Sequence, residues 1–276
     1  MISDTNKDVI YKNIICIVLF IMAAYLCQVA AALIPVCISA LTKRSYDMPG
    51  GMSLFITYML YVLIFGVYGI KTGIINVGFF SDEKHTGPDP RVPHPNAARQ
   101  VRDYFYIILT GISLQYLVAA ILSCISLYVP ELLAEYNTMV EASFSSGIWA
   151  ILSTALIAPL GEELLFRGLI LHHTRQITGP IIAVIINGIL FGLYHMNLVQ
   201  LCYAIPIGIL LAAIVTVSHS IYPALILHMA VNITAYMMPA ALFAKKETII
   251  CTIMVSLIIA SICIWRYFAH KTYRDK

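Results

Sequence analysis

Eight stretches of this chain are too apolar and too long to face water: 14–41, 52–70, 104–128, 148–173, 180–195, 198–217, 221–243 and 248–265. A helix rises 1.5 Å per residue, so crossing a hydrocarbon core of about 30 Å takes about 20 apolar residues. Inside lipid the backbone has to satisfy its own hydrogen bonds, and a helix does so within one segment. The expected fold class is therefore all-α: a polytopic transmembrane helical bundle of about eight helices, forming a single membrane domain over residues 1–276. Charged residues make up only 11% of the chain, against about 25% in a soluble domain. The first run is much longer than the roughly 7–15 residue apolar core of a cleaved signal and reads as a retained helix. Pro35 is a natural kink point within it, and the fifth run is short for a span.

Two connections stand out. Residues 71–103 are polar, contain Pro88, Pro90, Pro93 and Pro95, and read as an irregular loop. Residues 129–147 carry Glu131, Glu135 and Glu141 without a Lys or Arg and read as a second connection. With an even number of spans, twelve basic residues fall on the side of the two termini and four on the other. Basic residues favour the cytoplasm, so both termini are expected there. The localisation this implies is a multi-pass plasma membrane protein.

Some function classes drop out. The net charge of +3 is small and no basic cluster is interleaved with aromatics, so nucleic-acid binding has no support. Seven cysteines, all in apolar stretches and none in a CxxC, read as packing residues rather than a disulfide or thiolate framework.

The informative residues are those that do not belong in a bilayer. Each Asp, Lys or Arg at a helix centre costs about 2.5–3.5 kcal/mol on the insertion scale. The fourth run nonetheless carries Glu162, Glu163 and Arg167. Glu163 and Arg167 are four apart with the acid first, the favourable order for a pair on one helical face. Glu162 is five residues from Arg167, about 500° of rotation, and points elsewhere. One carboxylate is thus structural and the other available for chemistry. Pro159 and Gly161, just before the pair, allow the helix to start or bend there. The fifth run supplies Phe191 and His195, and the seventh His228 and Asn232, again at a spacing of four.

One carboxylate, two imidazoles and one carboxamide on three helices are the groups needed to hydrolyse an amide. A carboxylate takes the proton of an attacking water. Donors aimed at the developing oxyanion supply a large part of catalysis, and Asn232 and His228 are such donors. Glu162, His195 and His228 also form a possible metal set, two His and one Glu with an open fourth position, as for zinc. HExxH is absent, and a ligating Glu162 is not at the same time a free base, which favours the metal-free reading. Counted by helical rise from the cytoplasmic ends, three of the four groups lie near mid-depth and His195 lies deeper.

These residues resemble the three motifs of the CPBP family, the CAAX-type prenyl-protein endopeptidases and their bacterial Abi relatives. Glu-Glu-x-x-x-Arg (Glu162, Glu163, Arg167), Phe-x-x-x-His (Phe191, His195) and His-x-x-x-Asn (His228, Asn232) occur in that order within a core of residues 148–235. The resemblance implies an intramembrane endopeptidase on an all-helical fold. It implies Glu162 as general base with His195 beside it, and His228 and Asn232 holding the oxyanion or the water. Glu163, Arg167 and Phe191 would support them. Members of the family are described both as zinc-type and as glutamate-type peptidases. The implied partners are the lipid bilayer and a hydrophobic, prenylated or leader-type peptide substrate. The bacterial relatives are linked with peptide-pheromone maturation and bacteriocin immunity, which makes a bacterial setting the expectation.

Other readings compete. Intramembrane polar groups also serve as interhelical hydrogen bonds in a non-proteolytic regulator or bacteriocin-immunity protein, and Glu and His form proton relays in transporters. Any one of the four residues fits such roles, but the ordered set fits hydrolysis better. His172, His173 and His219 read as helix-end or connection residues. Gln28, Gln115 and Asn187 are isolated polar residues, with Asn187 on nearly the face of His195.

Overall fold

A computed structural model of the chain describes residues 4–75, 97–144 and 146–272. Among the described residues the regular structure is entirely helical. The helices are α1 (Asp4–Thr42), α2 (Gly50–Lys71), α3 (Ala97–Tyr128), α4 (Pro130–Phe144), α5 (Ile148–Ile177), α6 (Pro180–Tyr194), α7 (Leu198–Ser218), α8 (Tyr222–Ala235) and α9 (Lys246–Thr272). A single 3₁₀ turn, Ala240–Phe243, follows α8. Six of these, α1, α2, α3, α5, α7 and α9, include stretches long and apolar enough to cross a membrane, while α6 and α8 are shorter apolar helices. The protein is an integral membrane protein built as a polytopic helical bundle.

Each of the eight apolar runs contains a helix, with three differences from the sequence reading. Residues 129–147, read as a connection, contain α4. Pro130 stands at its first position and Glu131 in its first turn, both favourable at a helix start. Leu133 and Tyr136 keep an apolar stripe at helical spacing. The run 221–243 is not one helix. It ends at Ala235, and Pro239 lies before the 3₁₀ turn. The connection 71–103 is already helical from Ala97, while its proline-rich part, 76–96, lies outside the described residues. Pro35 sits inside α1, which continues past it.

The long helices sort their residues by a helical repeat. In α1 the buried side is Asn13, Ile17, Phe20, Ala24, Cys27 and Ala31, spaced alternately by four and three. The opposite side exposes Leu19, Leu26 and Leu33, as a lipid-facing surface does. In α9 the buried residues Ser256, Ala260, Cys263 and Tyr267 repeat the pattern.

The chain divides into two compact units: residues 1–76 with 138–212, and residues 77–137 with 213–276. The first holds α1, α2, α5, α6 and most of α7. Its centre is α5, which packs on α1, α2 and α6, and every residue from Gly161 to Leu171 is buried. In the second unit α8 and α9 pack along α3.

Glycines set the closest helix approaches. A Cβ on Gly188 would lie 2.6 Å from the Ile209 backbone nitrogen, and one on Gly192 would lie 3.2 Å from that of Ile205. The Gly188-x-x-x-Gly192 ridge therefore lets α6 and α7 pack backbone to backbone, the usual device for helices that meet in lipid. In the second unit a Cβ on Gly111 of α3 would lie 2.7 Å from the Leu227 carbonyl oxygen of α8.

Candidate active site

The local winding of α5 is what presents its charged residues. Two π-helical stretches, Ile151–Ile157 and Leu164–Ile170, bracket an α-helical segment, Ala158–Glu163. The Ala158 N–H reaches back five residues to the Ser153 carbonyl, and the Leu171 N–H five residues to that of Phe166. Pro159 has no N–H to give the preceding turn, and a widened turn accommodates its ring. Gly161 then brings α5 against α2: a Cβ there would lie 3.0 Å from the Tyr61 Cβ and 3.4 Å from the Tyr58 ring. The helix neither starts nor stops at Pro159 and Gly161. It changes its winding at one and its distance from α2 at the other.

The adjacent carboxylates Glu162 and Glu163 have different neighbours. Glu163 Oε1 accepts a hydrogen bond from the Arg167 guanidinium at 3.1 Å, both side chains being fully buried. Arg167 also donates to the Gly208 carbonyl of α7 at 3.1 Å, and its guanidinium lies 4.4 Å from the centre of the Phe191 ring. The pair expected from the spacing of four is present, and an aromatic face and a carbonyl complete its setting. Glu162, 5% exposed, turns to α2, where the Tyr58 hydroxyl donates to its Oε1 at 2.7 Å.

Phe191 joins this pair to His195. It is buried, meets Phe166 edge to face at 5.2 Å and the His195 ring at 4.8 Å. His195 is half-buried and caps the C-terminus of α6 instead of lying within it. There the backbone tightens, and the His195 N–H turns to the Gly192 carbonyl. The Phe191 carbonyl, its partner in a continuing α-helix, receives the His195 side chain, with Nδ1 at 2.7 Å. A carbonyl only accepts, so Nδ1 carries the proton and Nε2 of the neutral ring carries the lone pair. Met196 follows in the left-handed region at φ 52°, and the chain turns directly into α7.

A hydroxyl network from α1 and α2 braces this helix end. Gln28 donates to the Tyr194 hydroxyl at 2.6 Å. The Tyr194 hydroxyl meets that of Tyr61, and Tyr61 donates onward to the Ala24 carbonyl at 3.0 Å. The Tyr25 hydroxyl donates to the Tyr194 carbonyl at 3.3 Å. Asn187 is also structural in its visible bond, donating from Nδ2 to the Phe166 carbonyl at 2.8 Å. That carbonyl lies in the second π stretch.

His228 and Asn232 belong to the second unit. They lie one turn apart on one face of α8, with His228 buried and Asn232 half-buried. Gly111 of α3 approaches Leu227, Ala230 and Val231. The His228 and Asn232 face is turned about 100–140° round the helix from that contact. The first unit thus gathers Glu162, Glu163, Arg167, Phe191 and His195, and the second presents His228 with Asn232.

Of the remaining histidines, His173 Nδ1 meets Asn13 Oδ1 at 2.7 Å and its ring meets Phe20. His219 is exposed in the turn after α7. Among the described residues no group of three His, Cys, Asp or Glu side chains stands close enough to hold a metal ion. Tyr58, Tyr61, Tyr194, Gln28 and Tyr25 were not singled out as site residues from the sequence. The visible signals were Gln28 inside an apolar run and Tyr58 and Tyr61 three apart on one helical face.

Residues 144–234 match the family model described as Type II CAAX prenyl endopeptidase Rce1-like. The matched segment contains all seven motif residues, from Glu162 to Asn232. No curated protein and no solved structure matches the chain.

Proposed function

We propose that this chain, which belongs through residues 144–234 to the Rce1-like type II CAAX prenyl endopeptidase family, hydrolyses peptide bonds of membrane-embedded or lipidated peptides with water activated by Glu162. The observation that carries the reading is the division of labour between two neighbouring buried carboxylates. Glu163 is committed to Arg167, while Glu162 turns to a neutral hydroxyl. Paired acids in contrasting environments are a mark of acid–base chemistry.

In the proposed reaction Glu162 accepts a proton from water as the water oxygen bonds to the substrate carbonyl carbon. The carbonyl electrons move onto oxygen, and donors from Asn232 and His228 stabilise that oxyanion. The protonated Glu162 then gives its proton to the amide nitrogen. The C–N bond breaks, leaving a carboxylic acid and an amine, and the acid's proton passes to the amine to give carboxylate and ammonium. His195 holds the water through its Nε2 lone pair. Arg167 and Phe191 keep Glu163 and His195 in place and take no part in bond making. The substrate enters as a hydrophobic, prenylated or otherwise lipid-anchored peptide, which the bilayer delivers to a bundle of this kind.

The test is purified protein in nanodiscs with a quenched prenylated peptide. Wild type releases two fragments, and Asn232→Ala lowers kcat by about 10²–10³, the usual effect of removing an oxyanion donor. Activity persists in a strong chelator. No fragment from any hydrophobic or lipidated peptide, under conditions where the protein remains folded, overturns the reading.

A further inference from the structure

The matched segment begins at residue 144, yet the Glu162 carboxylate is held by a residue far upstream of it. We infer that Tyr58 of α2 is a positioning residue for the reaction, fixing the orientation of the Glu162 carboxylate through its hydroxyl. The inference rests on the reading of Glu162 as the base.

Three observations support it. The Tyr58 hydroxyl lies 2.7 Å from Glu162 Oε1, well inside the range of a bond to a carboxylate. Gly161, next to Glu162, has no Cβ where one would press on the Tyr58 ring and the Tyr61 Cβ, so the helix approach that makes this bond depends on the residue beside the base. Tyr58 is also held from its own side: its ring meets that of Tyr61 edge to face at 5.2 Å, and Tyr61 is anchored to Ala24 of α1. With Oε1 held by a donor that is itself fixed, the plane of the carboxylate is constrained, as a base aligned on a single water requires.

A positioning role differs from a packing role in what it changes. Tyr58→Phe keeps the ring and removes only the donor. The expected result is a fall in kcat of about tenfold or more with KM changed by less than about twofold, since the substrate is bound as before but the base is misaligned. The infrared carboxyl band of Glu162, identified by its loss in Glu162→Gln, shifts in Tyr58→Phe. Introducing 4-aminophenylalanine at position 58, which restores a donor in nearly the same place, returns kcat to within about threefold of wild type. The aminophenylalanine protein also keeps the test available where the Phe variant folds poorly.

Wild-type kcat and an unshifted band in Tyr58→Phe, with Glu162→Gln inactive, overturn the inference and leave the reading of Glu162 standing. An active Glu162→Gln overturns the reading of Glu162 and the inference with it. Failure of the aminophenylalanine protein to recover activity assigns Tyr58 to packing and overturns the inference alone.

Discussion

Glu162 and Glu163 differ by one position in the chain and by a whole environment in the fold. Their separation was legible in the sequence because helical rotation alone sends residues five apart in different directions, and because a buried Arg needs an acid within reach. What rotation did not show was the partner of Glu162, since Tyr58 lies on another helix and a tyrosine in an apolar run looks like any other packing residue. The committed pair has a measurable consequence. Glu163→Ala leaves the Arg167 charge buried without its carboxylate, a loss of about 3–5 kcal/mol, read as a lower unfolding midpoint in detergent. Glu163→Leu combined with Arg167→Met removes both charges and recovers most of that loss. A single variant as stable as wild type would mean that water or lipid headgroups reach Arg167. The hydroxyl network has its own test. Tyr194→Phe removes the bond from Gln28 and leaves that amide its longer bond to the Tyr61 hydroxyl at 3.3 Å, and is expected to cost about 1 kcal/mol, measured in the same unfolding assay.

At the level of elements, the two π stretches of α5 and the glycines of α6 do the positioning. The length and apolarity of the runs located the helices, because those properties follow from the thickness of the membrane. Winding was not legible, because a π turn depends on how Pro159 and the tertiary neighbours of α5 share the backbone hydrogen bonds. The amphipathic α4 was read as a connection because its three acids outweighed its apolar stripe. His195, counted as lying deep in a span, proves to be a helix cap. The helix it caps, α6, has 15 residues, shorter than the about 20 a full crossing takes. The Gly188-x-x-x-Gly192 ridge was present in the sequence, and its contact with α7 gives a prediction. Gly188→Ala places a methyl against the Ile209 backbone, which no side-chain rotation relieves, and is expected to destabilise by about 1–3 kcal/mol. Gly179→Ala, where a Cβ meets nothing within 4 Å, serves as the neutral control in the same melt.

At the scale of the whole molecule, the motif residues are shared between two compact units: α5 and α6 of the first carry the acids and His195, and α8 of the second carries His228 and Asn232. The family match spans both, while α1 and α2 stand upstream of it and provide the brace. The positive-inside bias of the sequence gives a topological prediction: reporters fused at either terminus should both signal from the cytoplasmic side, and a reporter exposed on the opposite face would refute the assignment. The central claim concerns water and one carboxylate. Cleavage of a prenylated peptide in ¹⁸O-labelled water, followed by mass spectrometry of the fragments, tests it most directly. The account predicts one heavy oxygen in the new carboxylate with wild-type protein and no cleavage with folded Glu162→Gln. Cleavage by Glu162→Gln at the wild-type rate, with the same label in the product, would contradict it.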